Sequence, residues 1–459
     1  MFGRKELAWG FAAQGLSVGL WLVMLPAVLH YLTPSQVALW LVFVTLVALA
    51  QLLELGFQPT LARNVAFVYG GARTLRAIGV EKGAGGALDP VLLAGLMAAS
   101  QRIYRSVAAT AAGVLWIAGT AYVIGVIPVG EPVGPVVWAW FAFSGGQVLN
   151  LWFGHLNAFL QGRGDLLLAN QVVVLSRLLQ LAVGVTLIIF GGGLMALGLA
   201  SLIGAAGGRW LAARFVARRQ SDLGEARPDQ PALARQLVGV LWHNASRYGL
   251  VMLGAFLITR ANILIATSRI GLIEAADFAL AVQILLILQS LSMLPFNLAL
   301  PKLNLMRAQS AEADMRKLFG RALIASLGLF AIASAGLVLI GPPLLRLVGS
   351  STGLPGTRLL IALCLVMLLE VNHGLCANLI TTDNRVPFVS AGLVTGIGIV
   401  TTSWLVSPAW GVAGMVASIA IWQAAYNNWH WPREAARSLS TPYVAMVIYA
   451  LRSMKSPIR

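Results

Sequence analysis

The sequence predicts an all-α integral membrane protein of about 12 transmembrane helices, in two six-helix lobes related by a pseudo-two-fold axis along the membrane normal. Composition supports this first: 58% of the 459 residues are hydrophobic and only 10% are charged, whereas soluble domains carry about 25% charged residues. The mean hydropathy is +0.82. Apolar stretches of about 20 residues, enough to cross the hydrocarbon core as a helix, recur from end to end.

Apolar runs bounded by charges, Gly and Pro predict twelve individual spans. They lie near 8–31, 36–62, 104–127, 135–161, 166–190, 193–213, 237–264, 276–301, 318–346, 357–382, 387–407 and 411–431. The first span follows a basic segment, as a secretory signal would. It is too long for such a signal and lacks a cleavage site, so we interpret it as a retained helix.

Lys and Arg are distributed unevenly between the two sides of the membrane. Of the 32, three are predicted outside (Arg269, Arg346 and Arg358), three within the membrane, and the remaining 26 on the cytoplasmic side or at its boundary. By the positive-inside rule, both termini are therefore cytoplasmic. The net charge of +16 suits anionic lipid headgroups, and no basic and aromatic module indicates a nucleic-acid partner.

The spans and charges divide the chain into four regions. They are an N-terminal six-helix lobe (1–213), a cytoplasmic basic linker (214–236), a C-terminal six-helix lobe (237–432) and a cytoplasmic basic tail (433–459).

Two pairs of segments indicate that the lobes are repeats. GFQPTLAR at 56–63 aligns with PFNLALPK at 295–302, and HLNAFLQGRGD at 155–165 aligns with HGLCANLITTD at 373–383. Six crossings return the chain to its starting side, so the repeats should be related by an axis along the membrane normal, with a substrate path between the lobes.

Three segments carry a family resemblance: LLELGFQPTLARNVAFV in span two, LNAFLQGRGDLLLANQ across spans four and five, and ALPKL after span eight. The chain resembles polysaccharide flippases of the multidrug/oligosaccharidyl-lipid/polysaccharide exporter (MOP) superfamily. The resemblance implies a bacterial inner-membrane protein that moves an undecaprenyl-diphosphate-linked oligosaccharide, such as an O-antigen repeat unit, to the outer leaflet. It also implies membrane lipid and other polysaccharide-assembly membrane proteins as candidate partners. One departure is Glu54, where such segments often have Asp.

Intramembrane arginines are the first candidate site residues, because a charge in the bilayer is costly unless it is paired or faces a water-filled cavity. Arg177 lies near the middle of span five, and Asn170 and Gln180 share its helical face. Arg247 lies well inside span seven, and Arg260 lies nearer its outer end. Together they predict a cationic cavity for a diphosphate. Alternatively, each pairs with a carboxylate and holds helices together, and Arg260 snorkels to the interface.

Span four carries a polar stripe at helical spacing. Its members are Gln147, Asn150, Asn157 and Gln161, and Asn170 on span five extends the polar surface. Such amides line a sugar-binding cavity or, alternatively, hydrogen-bond between helices.

Two carboxylates lie deep, Glu54 in span two and Glu370 in span ten, with His373 one turn after Glu370. They are candidates for binding H⁺ or Na⁺ during transport, or for neutralising an intramembrane arginine. The sequence contains no Cys, His and carboxylate cluster at metal spacing, so we expect no metal and no cofactor.

Two rival functions remain beside the flippase. A cation-coupled drug exporter of the same superfamily would present carboxylates to cationic drugs, whereas three intramembrane arginines face two glutamates here. A membrane-embedded glycan polymerase or ligase would need an active site, but the predicted outer loops carry almost no acid or base groups. No P-loop pattern is present either, so we expect a transporter and not an enzyme.

Overall fold

The computed structural model describes residues 4–54, 56–75, 87–219, 231–309, 312–383, 385 and 387–453. Every regular element in these ranges is helical. In the first half the α-helices are α1 (Arg4–Tyr31), α2 (Pro34–Gln51), α3 (Phe57–Tyr69), α4 (Pro90–Gly113), α5 (Thr120–Val126), α6 (Val133–Trp152), α7 (Gly154–Arg163), α8 (Leu166–Ile189), α9 (Gly193–Ala217) and α10 (Pro231–Thr259). In the second half they are α11 (Ala261–Arg269), α12 (Leu272–Ser292), α13 (Leu294–Ala308), α14 (Glu312–Leu347), α15 (Thr357–Ile380), α16 (Val389–Ala425), α17 (Asn427–Ser438) and α18 (Tyr443–Ser453).

The helices form an all-α membrane protein. Within the described ranges, eight helical stretches are long and apolar enough to cross a membrane, or nine if the bent pair Gly249–Thr259 and Ala261–Arg269 is one span. Predicted spans one and four coincide with α1 and with α6 plus α7, and spans eleven and twelve both lie within Val389–Ser438. Each of the twelve predicted spans therefore lies on helix.

The third predicted span lies within a longer helical stretch, Pro90–Val126. Helix α4 begins at Pro90, where Asp89 accepts hydrogen bonds from the backbone N–H groups of Val91 and Leu92 at 3.0 Å each. This is a normal N-cap. Arg102 and Arg105, which set the predicted boundary, lie within the helix.

Several spans are interrupted within the apolar sequence. After α2, a 3₁₀ turn over Leu52–Glu54 leads to Gly56, whose φ of 71° is left-handed, and α3 starts at the next residue. Gly411, with φ 51°, interrupts α16. Only glycine adopts this backbone conformation without strain, so these two residues set where the helices break.

The chain divides into two compact units, Met1–Leu253 and Gly254–Arg459. The division falls inside α10, and the boundaries of the four predicted regions remain predictions.

In the N-terminal unit, small residues bring α9 close to α6 and α8. A Cβ atom at Gly198 would lie 2.6 Å from the carbonyl oxygen of Ala139, and one at Gly208 would lie 2.7 Å from Ser176 Cβ. Ser176 Oγ also donates to the carbonyl oxygen of Gly204 at 2.8 Å. Close approach through small residues is the usual way in which membrane helices associate. Here it holds the middle of α8 against α9.

In the C-terminal unit, α10 and α16 approach in the same way. A Cβ atom at Gly254 would lie 2.9 Å from the carbonyl carbon of Gly392. Beside this contact, Ile258, Ile399 and Ile419 form a buried apolar cluster.

Each of the two aligned aspartates of the predicted repeat pairs with two arginines, although these arginines are not at aligned positions. Asp165 pairs with Arg163 at 2.8 Å and Arg219 at 3.3 Å. Asp383 pairs with Arg307 at 2.9 Å and Arg385 at 3.3 Å. The aligned segments 56–63 and 295–302 likewise both lie at the start of a helix that follows a break. These likenesses support the internal repeat.

Candidate sites for substrate and ions

The N-terminal unit contains a cluster of charged and polar side chains, which we call the N-terminal charge cluster: Glu54, Tyr104, Arg177 and Arg209. Tyr104 donates its hydroxyl hydrogen to Glu54 Oε1 at 3.1 Å. Arg209 interacts electrostatically with the three other members. The Nε atom of Arg209 is buried without a hydrogen-bond partner among the described residues. The cluster therefore joins the break in span two to α4, α8 and α9.

Local sequence explains how Tyr104 reaches Glu54. The Tyr104 ring is buried against Gly154, the first residue of α7, where a Cβ atom would lie 2.5 Å from ring atom Cε1. Glu54 lies at the end of the 3₁₀ turn that interrupts span two. The helix break and the missing side chain at Gly154 together leave room for the tyrosine.

Arg177 is half-buried and donates from one terminal nitrogen to Gln180 Oε1 at 3.0 Å. Arg177 and Gln180 therefore lie on the same face of α8, as their spacing in the sequence predicts. Among the described residues, no carboxylate lies within ion-pair distance of Arg177. Asn170 is also on α8 and half-buried. The guanidinium group of Arg177 thus has one amide partner, and its other N–H groups can donate to a further partner.

The polar stripe predicted on span four is divided between two helices. Gln147 and Asn150 lie on α6, whereas Asn157 and Gln161 lie on α7, after a break at Phe153 with φ −105° and ψ 14°. Gln147 accepts a long hydrogen bond of 3.4 Å from Gln51. Asn157 is 6% exposed, and its side-chain oxygen has no partner among the described residues. The four amides therefore do not follow one straight helical face.

The C-terminal unit contains a second polar cluster around Glu370, which we call the Glu370 cluster: Glu370, His373, Gln423, Asn427 and Asn428. Gln423 donates to Glu370 Oε2, and His373 Nε2 lies 3.6 Å from Glu370 Oε1. The other imidazole nitrogen lies 3.0 Å from Asn428 Oδ1. Asn427 donates to Gln423 Oε1 at 2.7 Å. Helix α15 thus meets the polar end of α16 and the start of α17.

The one-turn spacing predicted the contact between Glu370 and His373. It did not predict the amides, which come from helices distant in sequence. No arginine pairs with Glu370 among the described residues.

Arg260 lies at the break between α10 and α11, where the helix axis bends by 41°. One of its terminal nitrogens lies 3.4 Å from Oε1 of Gln283, which is 3% exposed. Next to it, Asn262 is 2% exposed, and both its side-chain polar atoms lack partners among the described residues. The side chain of Arg247 lies outside the described residues. The three predicted arginines are therefore not seen as one cluster.

Sequence reasoning missed Arg209 and Tyr104. Arg209 lies near the end of predicted span six, which ends at 213, and is not among the three arginines predicted within the membrane. The signal that could have found it is the Gly pair before it, which permits close contact with α8. Tyr104 was taken as the start of a span, although it lies well inside α4.

The two clusters differ in electrostatic character. The N-terminal charge cluster has two guanidinium groups and one carboxylate and suits an anion. The Glu370 cluster presents one carboxylate surrounded by amides and an imidazole, which suits a proton or a small cation. Among the residues that the structure describes, no group of three His, Cys, Asp or Glu side chains could hold a metal ion.

The sequence matches no protein-family model and no curated protein. The fold, however, matches solved membrane transporters over nearly the whole chain. An inward-facing multidrug resistance transporter of the MATE family, in the MOP superfamily, is 15% identical with a TM-score of 0.64, covering 97% of this chain and 96% of that one. The lipid II flippase MurJ in an inward closed conformation is 11% identical with a TM-score of 0.61, covering 97% and 90%.

A third match is a MOP superfamily transporter from Pyrococcus furiosus, described as having a binding pocket of reverse polarity that suggests a different function. It is 13% identical with a TM-score of 0.55, covering 99% of this chain and 98% of that one. The protein is a multi-pass membrane protein with the fold of MOP superfamily transporters and flippases. The predicted resemblance is confirmed at the level of fold, which drug transporters and a lipid flippase share.

Proposed function

We propose that this protein is a flippase that moves an undecaprenyl-diphosphate-linked oligosaccharide, an O-antigen or related repeat unit, from the inner to the outer leaflet of the bacterial cytoplasmic membrane. The observation that carries this proposal is the composition of the N-terminal charge cluster. Arg209 interacts electrostatically with both Arg177 and Glu54, so the cluster contains two guanidinium groups and one carboxylate. Guanidinium groups bind phosphate oxygens through paired hydrogen bonds, and a net positive site repels a cationic drug.

Arg177 is the residue that we assign to the diphosphate. Its contact with Gln180 orients the guanidinium without neutralising it. Arg209 has a buried Nε without a partner among the described residues, and an anion would satisfy such a donor. In this proposal Gln147, Asn150, Asn157, Gln161 and Asn170 serve the sugars, since amides both donate and accept hydrogen bonds.

We assign the driving ion to the Glu370 cluster. A carboxylate with an imidazole 3.6 Å away can exchange a proton or a monovalent cation when its surroundings change. Gln423, which is 1% exposed, is held by Asn427 and donates to the carboxylate. The amide therefore restrains Glu370 whether or not an ion is bound.

The orientation of this proposal follows the charge pattern and puts both termini in the cytoplasm. Single cysteines in the loop 128–134 should react with a membrane-impermeant reagent from outside. Single cysteines at 214–235 should react only after the membrane is permeabilised. The reverse pattern for either loop would contradict the topology.

Ligand binding to the purified full-length protein tests the substrate class. We expect a short-chain polyprenyl-diphosphate disaccharide to raise the unfolding temperature and a cationic dye to leave it unchanged. A polyprenyl monophosphate without sugar should stabilise less, because it has fewer oxygens for the arginines. Stabilisation by the dye alone would contradict the flippase.

A second candidate, cation-coupled multidrug export, is favoured by one observation. Glu370 has no arginine partner among the described residues and so keeps its negative charge available to a cation or a cationic drug. Glu370→Gln separates the two candidates. In a drug exporter it should abolish both drug binding and coupling, whereas in the proposed flippase it should abolish the response of transport to an ion gradient and preserve binding of the lipid diphosphate.

We propose no enzymatic activity. The solved structures that share this fold are transporters and flippases.

A further inference from the structure

A groove at the end of the C-terminal unit lies beside the Glu370 cluster and shares one residue, Asn428, with it. Its volume is about 780 Å³, within the range of ligand pockets. Residues of α15, α17 and α18 line it, among them Asn372, Trp429, Arg433, Arg437 and Tyr443. The predicted topology puts it at the cytoplasmic surface, where the inner leaflet has its headgroups.

The cationic wall of the groove is one face of α17. Trp429, Arg433 and Arg437 follow one another at intervals of four residues and so lie on the same side of the helix. Arg433 is exposed and forms no ion pair among the described residues, whereas Arg437 has a loose pair with Glu434 at 3.5 Å. Trp429 is 48% exposed. Tryptophan and arginine together are typical of the membrane interface.

The turn that joins α17 to α18 is held rigidly. Arg307 donates to the carbonyl oxygen of Ser438 at 3.0 Å, and Arg316 donates to Thr441 Oγ1 at 2.8 Å. Between them, Ser440 has a φ of 53° and is the one non-glycine residue with positive φ in the described ranges. Tyr443, the first residue of α18, donates its hydroxyl hydrogen to Asn372 on α15. The turn and the start of α18 that line the groove are therefore held in place by hydrogen bonds to the rest of the unit.

Helix α18, whose first residue Tyr443 lines the groove, has an exposed apolar stripe. Val444, Ile448 and Leu451 are 67%, 44% and 53% exposed, while Met446 is buried at 1%. The three exposed side chains lie at helical spacing on one face, as in a helix that lies in the plane of the interface. With 11 residues, α18 is too short to span the bilayer.

We propose that this groove binds the phosphate headgroup of an anionic phospholipid, with its acyl chains against the stripe of α18. The two arginines supply the charge, and the N-terminus of α18, which opens at the groove, adds backbone N–H donors. A zwitterionic headgroup carries its own cation next to the phosphate, so the site should prefer a net negative lipid. This inference is independent of the transported substrate.

The test is binding of fluorescent phosphatidylglycerol and phosphatidylcholine to the purified full-length protein in detergent. Arg433→Gln combined with Arg437→Gln should weaken phosphatidylglycerol binding by about 10- to 30-fold, from the attraction of two arginines to an anionic surface. The matched control is Arg346→Gln with Arg358→Gln, which removes two exposed charges elsewhere in the same unit and should leave the affinity unchanged.

Three outcomes would overturn the proposal. They are equal loss of affinity in the two double variants, binding of phosphatidylcholine as tight as that of phosphatidylglycerol, and displacement of the lipid by inorganic phosphate, which would indicate a site for the free ion. If the double variant fails to fold, the single variant Arg433→Gln replaces it in the same binding measurement. Its side chain is exposed without an ion pair, and it should still weaken binding by about 5-fold.

Discussion

Replacing Arg177 by alanine separates a substrate-binding role from a structural one, because the structure fixes what the side chain contributes to stability. Its guanidinium has one hydrogen bond, to Gln180 at 3.0 Å, and no carboxylate partner among the described residues. The substitution loses about 1.5–3 kcal/mol for a hydrogen bond to a charged group and relieves a burial cost of several kcal/mol. We therefore expect Arg177→Ala to change the free energy of unfolding by no more than about 1 kcal/mol.

The expected effect on transport is much larger. If the guanidinium binds a phosphate, losing one charged hydrogen bond in the productive complex costs about 1.5–3 kcal/mol, which is about 10- to 150-fold in rate or affinity. Arg177→Lys keeps the charge and loses the paired geometry, so it should fall between wild type and alanine.

The assay is glycan export normalised to the amount of folded protein in the membrane, with Arg358→Ala as a control for an exposed arginine far along the chain. Full normalised export in Arg177→Ala would refute the binding role. A loss of folded protein that matches the loss of export would leave only a structural role, because stranding a buried partner costs about 3–5 kcal/mol.

Two further predictions concern stability, measured as the unfolding midpoint of purified protein. Gly162→Ala should lower the free energy of unfolding by about 1–3 kcal/mol, because its Cβ atom would overlap a carbonyl oxygen of α3. The control Gly239→Ala, whose Cβ atom would point into open space, should raise it by about 0.5–1 kcal/mol. Equal shifts of the two variants would contradict the close packing at Gly162. Arg307 and Arg385 both pair with Asp383, but their side chains are 18% and 57% exposed. Arg307→Ala should therefore lower the free energy of unfolding by about 2–4 kcal/mol and Arg385→Ala by at most about 1 kcal/mol. Similar losses would show that burial does not set the strength of these pairs.

Helical periodicity predicted contacts within a single helix. Arg177 with Gln180 and Glu370 with His373 both lie three residues apart, and both pairs meet in the structure. The alignment of Asp165 with Asp383 was also informative, since each aspartate pairs with two arginines.

Contacts between helices could not be predicted in the same way. Tyr104 reaches Glu54 only because a helix break and Gly154 make room. Arg209 belongs to the charge cluster because α9 packs closely against α8. Gln423 reaches Glu370 from a helix more than fifty residues later in the chain. Such contacts between side chains of different helices depend on helix packing, which cannot be read from a single sequence.

Helix breaks were the other feature that hydropathy missed. The break at Phe153 divides the polar amides of span four, and the break at Arg260 bends span seven. Hydropathy measures the transfer of side chains into lipid and is insensitive to one non-helical residue. The number and order of spans were therefore more predictable than the polar faces along them.

We propose that the protein moves a lipid-linked anionic glycan across the bilayer. The most direct measurement is the loss of fluorescent undecaprenyl-diphosphate oligosaccharide from one leaflet of vesicles that contain the purified protein, with a cationic dye as the competing substrate. We expect protein-dependent movement of the glycan lipid, which Arg177→Ala should slow by about 10- to 150-fold, and no movement of the dye. Dye transport with an immobile glycan lipid would contradict it.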